Sequence, residues 1–117
     1  MRGAFLWGVM GLRDKVLLVV TGEMGRTPRI NKDGGRDHYG ELTPLLLYGG
    51  GLKMGHVIGA SDRGAARPAT EPWGPNHLMA TIMHTLFDMG KLRLDSSVPR
   101  DVANVLQSSN PIEPLMA

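Results

Sequence analysis

Apolar residues fall in a few short runs, separated by long polar stretches. The run "VLLVVT", 16–21, is continuous, apolar and β-branched. That pattern predicts a strand buried on both faces of a parallel sheet. "TPLLLYGG", 43–50, predicts a second strand, with Pro44 at its start or on an edge. "GGG", 49–51, marks a turn, and "HVIGAS", 56–61, predicts a short third strand. Residues 62–73 read as a polar loop. From Pro75 the period changes. Leu78, Ile82 and Leu86 recur at four-residue spacing, with Met79 and Met83 beside them, which predicts an amphipathic helix. Pro75 suits its first position, Gly74 its cap and Gly90 its stop. A shorter helix is expected near Val102–Gln107, and "NPIEPLMA" reads as extended. At the front, residues 3–12 read as a short helix weakened by Gly3, Gly8 and Gly11. Strands alternating with helices predict an α/β fold in a single domain, with no internal repeat.

The polar stretch between the first two strands, "TGEMGRTPRINKDGGRDHYGELTP", 21–44, carries the candidate chemistry. Loops this long inside compact domains are usually functional or disordered. In open α/β sheets, ligands bind beyond the carboxyl ends of the strands, and this loop leaves such an end. Glu23 lies just past the first strand, and Asp37 and His38 lie just before the second. If those strands are neighbours, the loop folds back and brings Glu23 near His38. Carboxylate and imidazole donors suit zinc or manganese. Arg26, Arg29 and Arg36 lie in the same loop and suit an anionic substrate. Structural readings stand beside these. Glu23 as a surface carboxylate paired with Arg26, His38 as a loop hydrogen-bonder and Asp37 as a turn cap need no ligand.

Two motif readings fail. Aligning "INKDGGRDHYGE" as a calcium loop on Gly34 puts Arg29 at the first ligand position and Gly40 at the last, where a glutamate is needed. "GGGLKMG" lacks the Gly-Lys-Ser/Thr ending of a phosphate-binding loop, and Lys53 reads as a solvated turn residue. His56, His77 and His84 have no metal-like spacing to a second ligand and read as non-ligands.

Composition narrows the classes. The net charge is +2, and the cationic residues are scattered with no aromatic interleaving, which argues against nucleic-acid binding. No cysteine is present, so disulfides and thiolate metal sites are excluded. With 16 glycines, 8 prolines and 8 methionines but few aromatic rings, the chain reads as loop-rich with a soft core. "MRGAFLWGVMGLRDK" has an apolar stretch too short to span a membrane, and it shows no small-residue cleavage site. The location of the chain is left open.

The order "GRTPRIN", "GGRDH", "GGGLKMG", "VIGASD" and then "PNHLMATIMHTLF" resembles the C-terminal part of the bacterial family known as domain of unknown function 1501. The resemblance runs from about Val16 to Ala117, and the tail "NPIEPLMA" resembles that family's own C-terminus. Members are similar to sulfatases and alkaline phosphatases. The resemblance implies a partial alkaline-phosphatase-like sheet with flanking helices, C-terminal segment only, over 1–117, with 1–15 a degenerate lead-in. In the phosphatases a strand ends in Thr-x-Asp-His, both last residues binding metal, and a later His precedes another strand. By that resemblance Glu23 falls at the metal Asp, Met24 at the metal His and His38 at the later ligand, with Asp37 a ligand or a partner of His38. Arg26 or Arg36 would clamp the anion.

Met24 departs from the pattern, since a thioether is a poor ligand for a hard hydrolytic metal. The family itself usually carries Phe there. The nucleophile of such hydrolases comes from the N-terminal half of a longer chain. The expectation is therefore a fragment of a metal-dependent phosphate or sulfate ester hydrolase, inactive alone, whose partner is a missing N-terminal half or an oligomer. The alternative is a non-catalytic binding or structural module that kept the fold and lost the metal chemistry. Relatives are often exported.

Overall fold

A computed structural model describes residues 11–116. Up to residue 10, the helix expected over 3–12 and the lead-in lie outside them. The fold mixes α and β. Strand β1 spans Leu17–Thr21, β2 Gly25–Arg26, β3 His38–Tyr39 and β4 Leu45–Gly49. Helix α1 spans Pro75–Leu86, α2 Met89–Leu94 and α3 Arg100–Gln107, and a short 3₁₀ turn covers Glu113–Leu115.

The strands make two small ribbons, β1 with β4 and β2 with β3. The parallel sheet predicted from "VLLVVT" is not what forms. Thr21 Oγ1 donates to the Pro44 carbonyl at 3.1 Å, while Gly50 N–H donates to the Val16 carbonyl at 2.9 Å. The start of β1 therefore meets the end of β4, and the pair is antiparallel. A parallel pair needs a crossover of a dozen or more residues, usually helical. The connection 22–44 holds no helix and doubles back instead. Nor is β1 buried on both faces: Val20 is 53 % exposed, and in β4 Leu46 is 52 % exposed.

Two compact units share the chain. Of the described residues, the first comprises 11–18, Tyr48–His56 and 73–116. Its core holds Leu52, Ala80, Met89, Ile112 and Leu115. Helix α1 packs against α3. Thr81, fully buried on α1, ties the tail down: its Oγ1 donates to the His77 carbonyl at 2.7 Å and accepts from Ile112 N–H at 2.8 Å. Lys53 N–H donates to the Leu115 carbonyl at 2.9 Å. The tail is thus a docked 3₁₀ turn, not the extended end expected from "NPIEPLMA". The glycine turn brings the backbone close: a Cβ on Gly49 would stand 2.3 Å from the Val16 carbonyl oxygen, at φ +86°.

Helix α1 starts as its sequence predicts, with Gly74 as cap and Pro75 in the first turn. It ends before Gly90. Asp88 opens α2 instead, its Oδ1 accepting from the Gly90 and Lys91 amides at 3.1 and 3.2 Å. An aspartate that satisfies two free amide donors is a strong helix start, and it overrides the stop signal of the glycine.

The second unit comprises Val19–Leu47 and Val57–Pro72. The third strand expected at 56–61 reduces to one antiparallel bridge, Ser61 with Pro68. Val57, its apolar anchor, is 97 % exposed. An apolar pair without a sheet neighbour gains nothing by extending, so local turns take over.

Candidate functional site

The loop between β1 and β4 is structured by its own polar groups. Residues 25–26 pair antiparallel with 38–39, which places Gly25 opposite Tyr39 and Arg26 opposite His38. Thr27 continues the ribbon. Its N–H donates to the Asp37 carbonyl at 3.0 Å, and its Oγ1 accepts from Asp37 N–H at 3.1 Å. Asn31 folds the tip: its Oδ1 accepts from the Asp33 and Gly35 amides at 3.0 and 2.9 Å, the local Asx-type bonding expected of asparagine before a Gly-rich turn. Its Nδ2 donates to Asp37 Oδ1 at 2.9 Å. Arg36 Nη1 donates to the Thr27 and Pro28 carbonyls at 2.8 and 2.7 Å.

These bonds sort the sequence-predicted site residues. Arg36 spends Nη1 bracing the loop's own backbone. Asp37 spends one carboxylate oxygen on the Asn31 side-chain amide. Arg26 and His38 are brought together, side by side on one face of the ribbon, since paired residues share a face. Both are exposed, and so is Glu23. Glu23 lies between Thr21, which is bonded to Pro44, and Gly25, which is paired with Tyr39. The loop base is therefore closed on both sides of Glu23. No ion pair joins Glu23 to Arg26 among the described residues, so that expectation is corrected: on an exposed surface such a pair gains too little to fix two side chains.

Oxygen and imidazole donors of this kind suit zinc or manganese. Their arrangement does not complete a centre: among the described residues no three His, Asp or Glu side chains gather as a metal-holding group. Arg26, opposite His38, adds a positive charge where a cation would bind. The remaining histidines have local settings. His77 Nδ1 accepts from Gly74 N–H at 3.0 Å, and its ring meets Trp73 edge-on at 5.2 Å. His56 is exposed and His84 half-buried.

Thr27, Asn31 and Tyr39 were not singled out by sequence reasoning. For Asn31 the signal was present, an asparagine ahead of "DGG". For Tyr39, whose hydroxyl donates to the Ala66 carbonyl, no local signal exists, because its partner is far along the chain.

Neither the curated proteins nor the solved structures give a match. A family model does, beginning ahead of Val16 and stopping before the tail to which the resemblance extended. On that match, over residues 8–94, the chain belongs to the family described as protein of unknown function (DUF1501).

Proposed function

We propose that this chain carries one ligand-bearing corner of a sulfatase- or alkaline-phosphatase-like, metal-dependent ester hydrolase and does not turn over substrate by itself. The observation that carries the reading is the closed loop base. It holds Glu23 between two fixed points and sets His38 one residue from Tyr39, the partner of Gly25. Glu23 and His38 would supply two metal ligands, Asp37 would support His38 through the backbone they share, and Arg26 would face the anionic ester. The remaining ligands and the nucleophile would come from a partner segment or subunit. A metal in that setting would polarise the ester oxygen.

The test is a thermal melt followed by circular dichroism, with and without zinc or manganese. The expected result is a metal-raised transition that Glu23→Ala or His38→Ala makes metal-insensitive, with no hydrolysis of an aryl phosphate or aryl sulfate. A transition indifferent to metal in the parent chain would sink the reading.

Two observations favour a second reading, a binding or structural module that kept the fold and lost the metal chemistry. Arg26 stands where it repels a cation at His38, and Met24 is a poor ligand for a hard metal. On this reading Arg26→Gln leaves metal response absent and the melting transition unchanged.

A further inference from the structure

Residues 57–72 are not used by either functional reading. They are tied into a knot by their own groups. Ala69 N–H donates to the Ala60 carbonyl at 2.8 Å, and Asp62 N–H to the Arg67 carbonyl at 2.9 Å. Ala60 N–H donates to Thr70 Oγ1 at 3.0 Å, and Ala66 N–H to Asp62 Oδ1 at 2.8 Å. This closes residues 60–70 on themselves although, within that span, only Ala66 is even half-buried. The knot owes its shape to hydrogen bonds and not to a core.

Among the described residues, one hydrogen bond joins the knot to the rest of its compact unit. It runs from the Tyr39 hydroxyl to the Ala66 carbonyl. At the entrance Gly59 adopts φ +83°, a conformation that suits glycine, and Val57 ahead of it is almost wholly exposed. Of the two apolar residues ahead of Gly59, Val57 and Ile58, only Ile58 is half-buried.

We propose that residues 60–70 form a strap that swings as a preformed unit about Gly59, with the Tyr39–Ala66 bond as its latch. The strap meets the ribbon on the face of Tyr39. Arg26 and His38 lie on the opposite face, because successive side chains of a strand alternate. Latched, the strap braces β3 from behind and fixes the ribbon that presents His38. Released, it leaves β2 and β3 held by their own few bonds. The latch and the bonds within the strap need neither a metal nor an ester.

The chain has no cysteine, so introduced cysteines can be labelled without background. The experiment places spin labels at Lys32→Cys and Arg63→Cys, both exposed, and measures the distance distribution between them in the full chain. It is repeated with Tyr39→Phe. Hydrogen exchange at Asp62, Ala66 and Ala69 is followed in parallel. The expected result is a narrow distribution that Tyr39→Phe broadens toward longer distance, with protection of the three amides unchanged. Asp62→Ala should do the reverse and speed exchange at Ala66 and Ala69 with the latch in place. An unchanged distribution in Tyr39→Phe overturns the latch. Loss of protection at the three amides in Tyr39→Phe overturns the strap as a unit, since the loop then melts instead of swinging.

Discussion

At the residue scale, Thr81 does what no pattern of apolar positions announces. The helical stripe Leu78, Ile82 and Leu86 was expected to face the core, yet Leu86 is 62 % exposed while Thr81 has no exposure. The reason is its hydroxyl, which serves as donor to His77 and acceptor for Ile112 at once. Thr81→Val keeps the shape and leaves a buried N–H unpaired, a loss of about 1–3 kcal/mol. Denaturant melts should show that loss, and Thr81→Ser should recover most of it. Asp62 gives the second residue-scale test. The Ala66 amide, ahead of the opposing cost of desolvation, holds its carboxyl below the ordinary aspartate range, with the Arg67 and Gly64 amides and the Arg67 charge acting the same way. A lowered folded-state value means the carboxylate's stabilisation is present above the unfolded value and lost as pH falls through the folded one. Protection of the Ala66 amide, taken against the unfolded-chain rate at the same pH, should therefore fall only under acid conditions below the ordinary carboxylate range, and Asp62→Ala should abolish that pH dependence.

At the element scale, the sequence was most informative where a signal is local and least where it depends on a distant partner. The start of α1 at Pro75, the strands near 17–21 and 45–49, and a helix near 102–107 were legible because caps, β-branched runs and amphipathic spacing act within a few residues. The direction of β1 against β4 was not, since a continuous apolar strand reads the same in either pairing. The candidate loop was half legible. Its length and its flanking Glu23 and His38 could be read, but the use of Arg36 and Asp37 as internal struts could not. Those bonds go mostly to backbone groups, which carry no signature in the sequence. Gly25 is the element's weak point. A Cβ there would stand 1.8 Å from the Leu42 carbonyl oxygen. Backbone cannot yield as a side chain can, so Gly25→Ala should part β2 from β3 at a cost above about 1 kcal/mol. Loss of protection at Thr27 N–H, with α1 amides unaffected, would be the signature. Retained protection there would show that the ribbon tolerates the added methyl.

At the scale of the whole molecule, the buried apolar residues among those described belong to one unit only. Leu52, Ala80, Met89, Ile112 and Leu115 all lie in the unit that carries the helices. Among the described residues the other unit buries no large apolar side chain; what orders it is the loop bonding around Thr27, Asn31 and Asp62. Exposed hydrogen bonds contribute little net stability, so this unit should open at a lower free energy than the first. The β1–β4 ribbon adds a second consequence. Leu18, Val20, Leu45 and Leu46 are all exposed on a two-stranded sheet, and short apolar strands with open edges pair readily with other chains. The isolated chain should therefore self-associate with rising concentration, as read by light scattering on a sizing column. Val20→Lys, on an exposed position of β1, should shift the population toward monomer, because a charge on the strand face opposes stacking and pairing. A parent chain that stays monomeric across the concentration range would mean that the ribbon's exposed face is tolerated in water as it stands. The loop bonding and the latch would be untouched by that result.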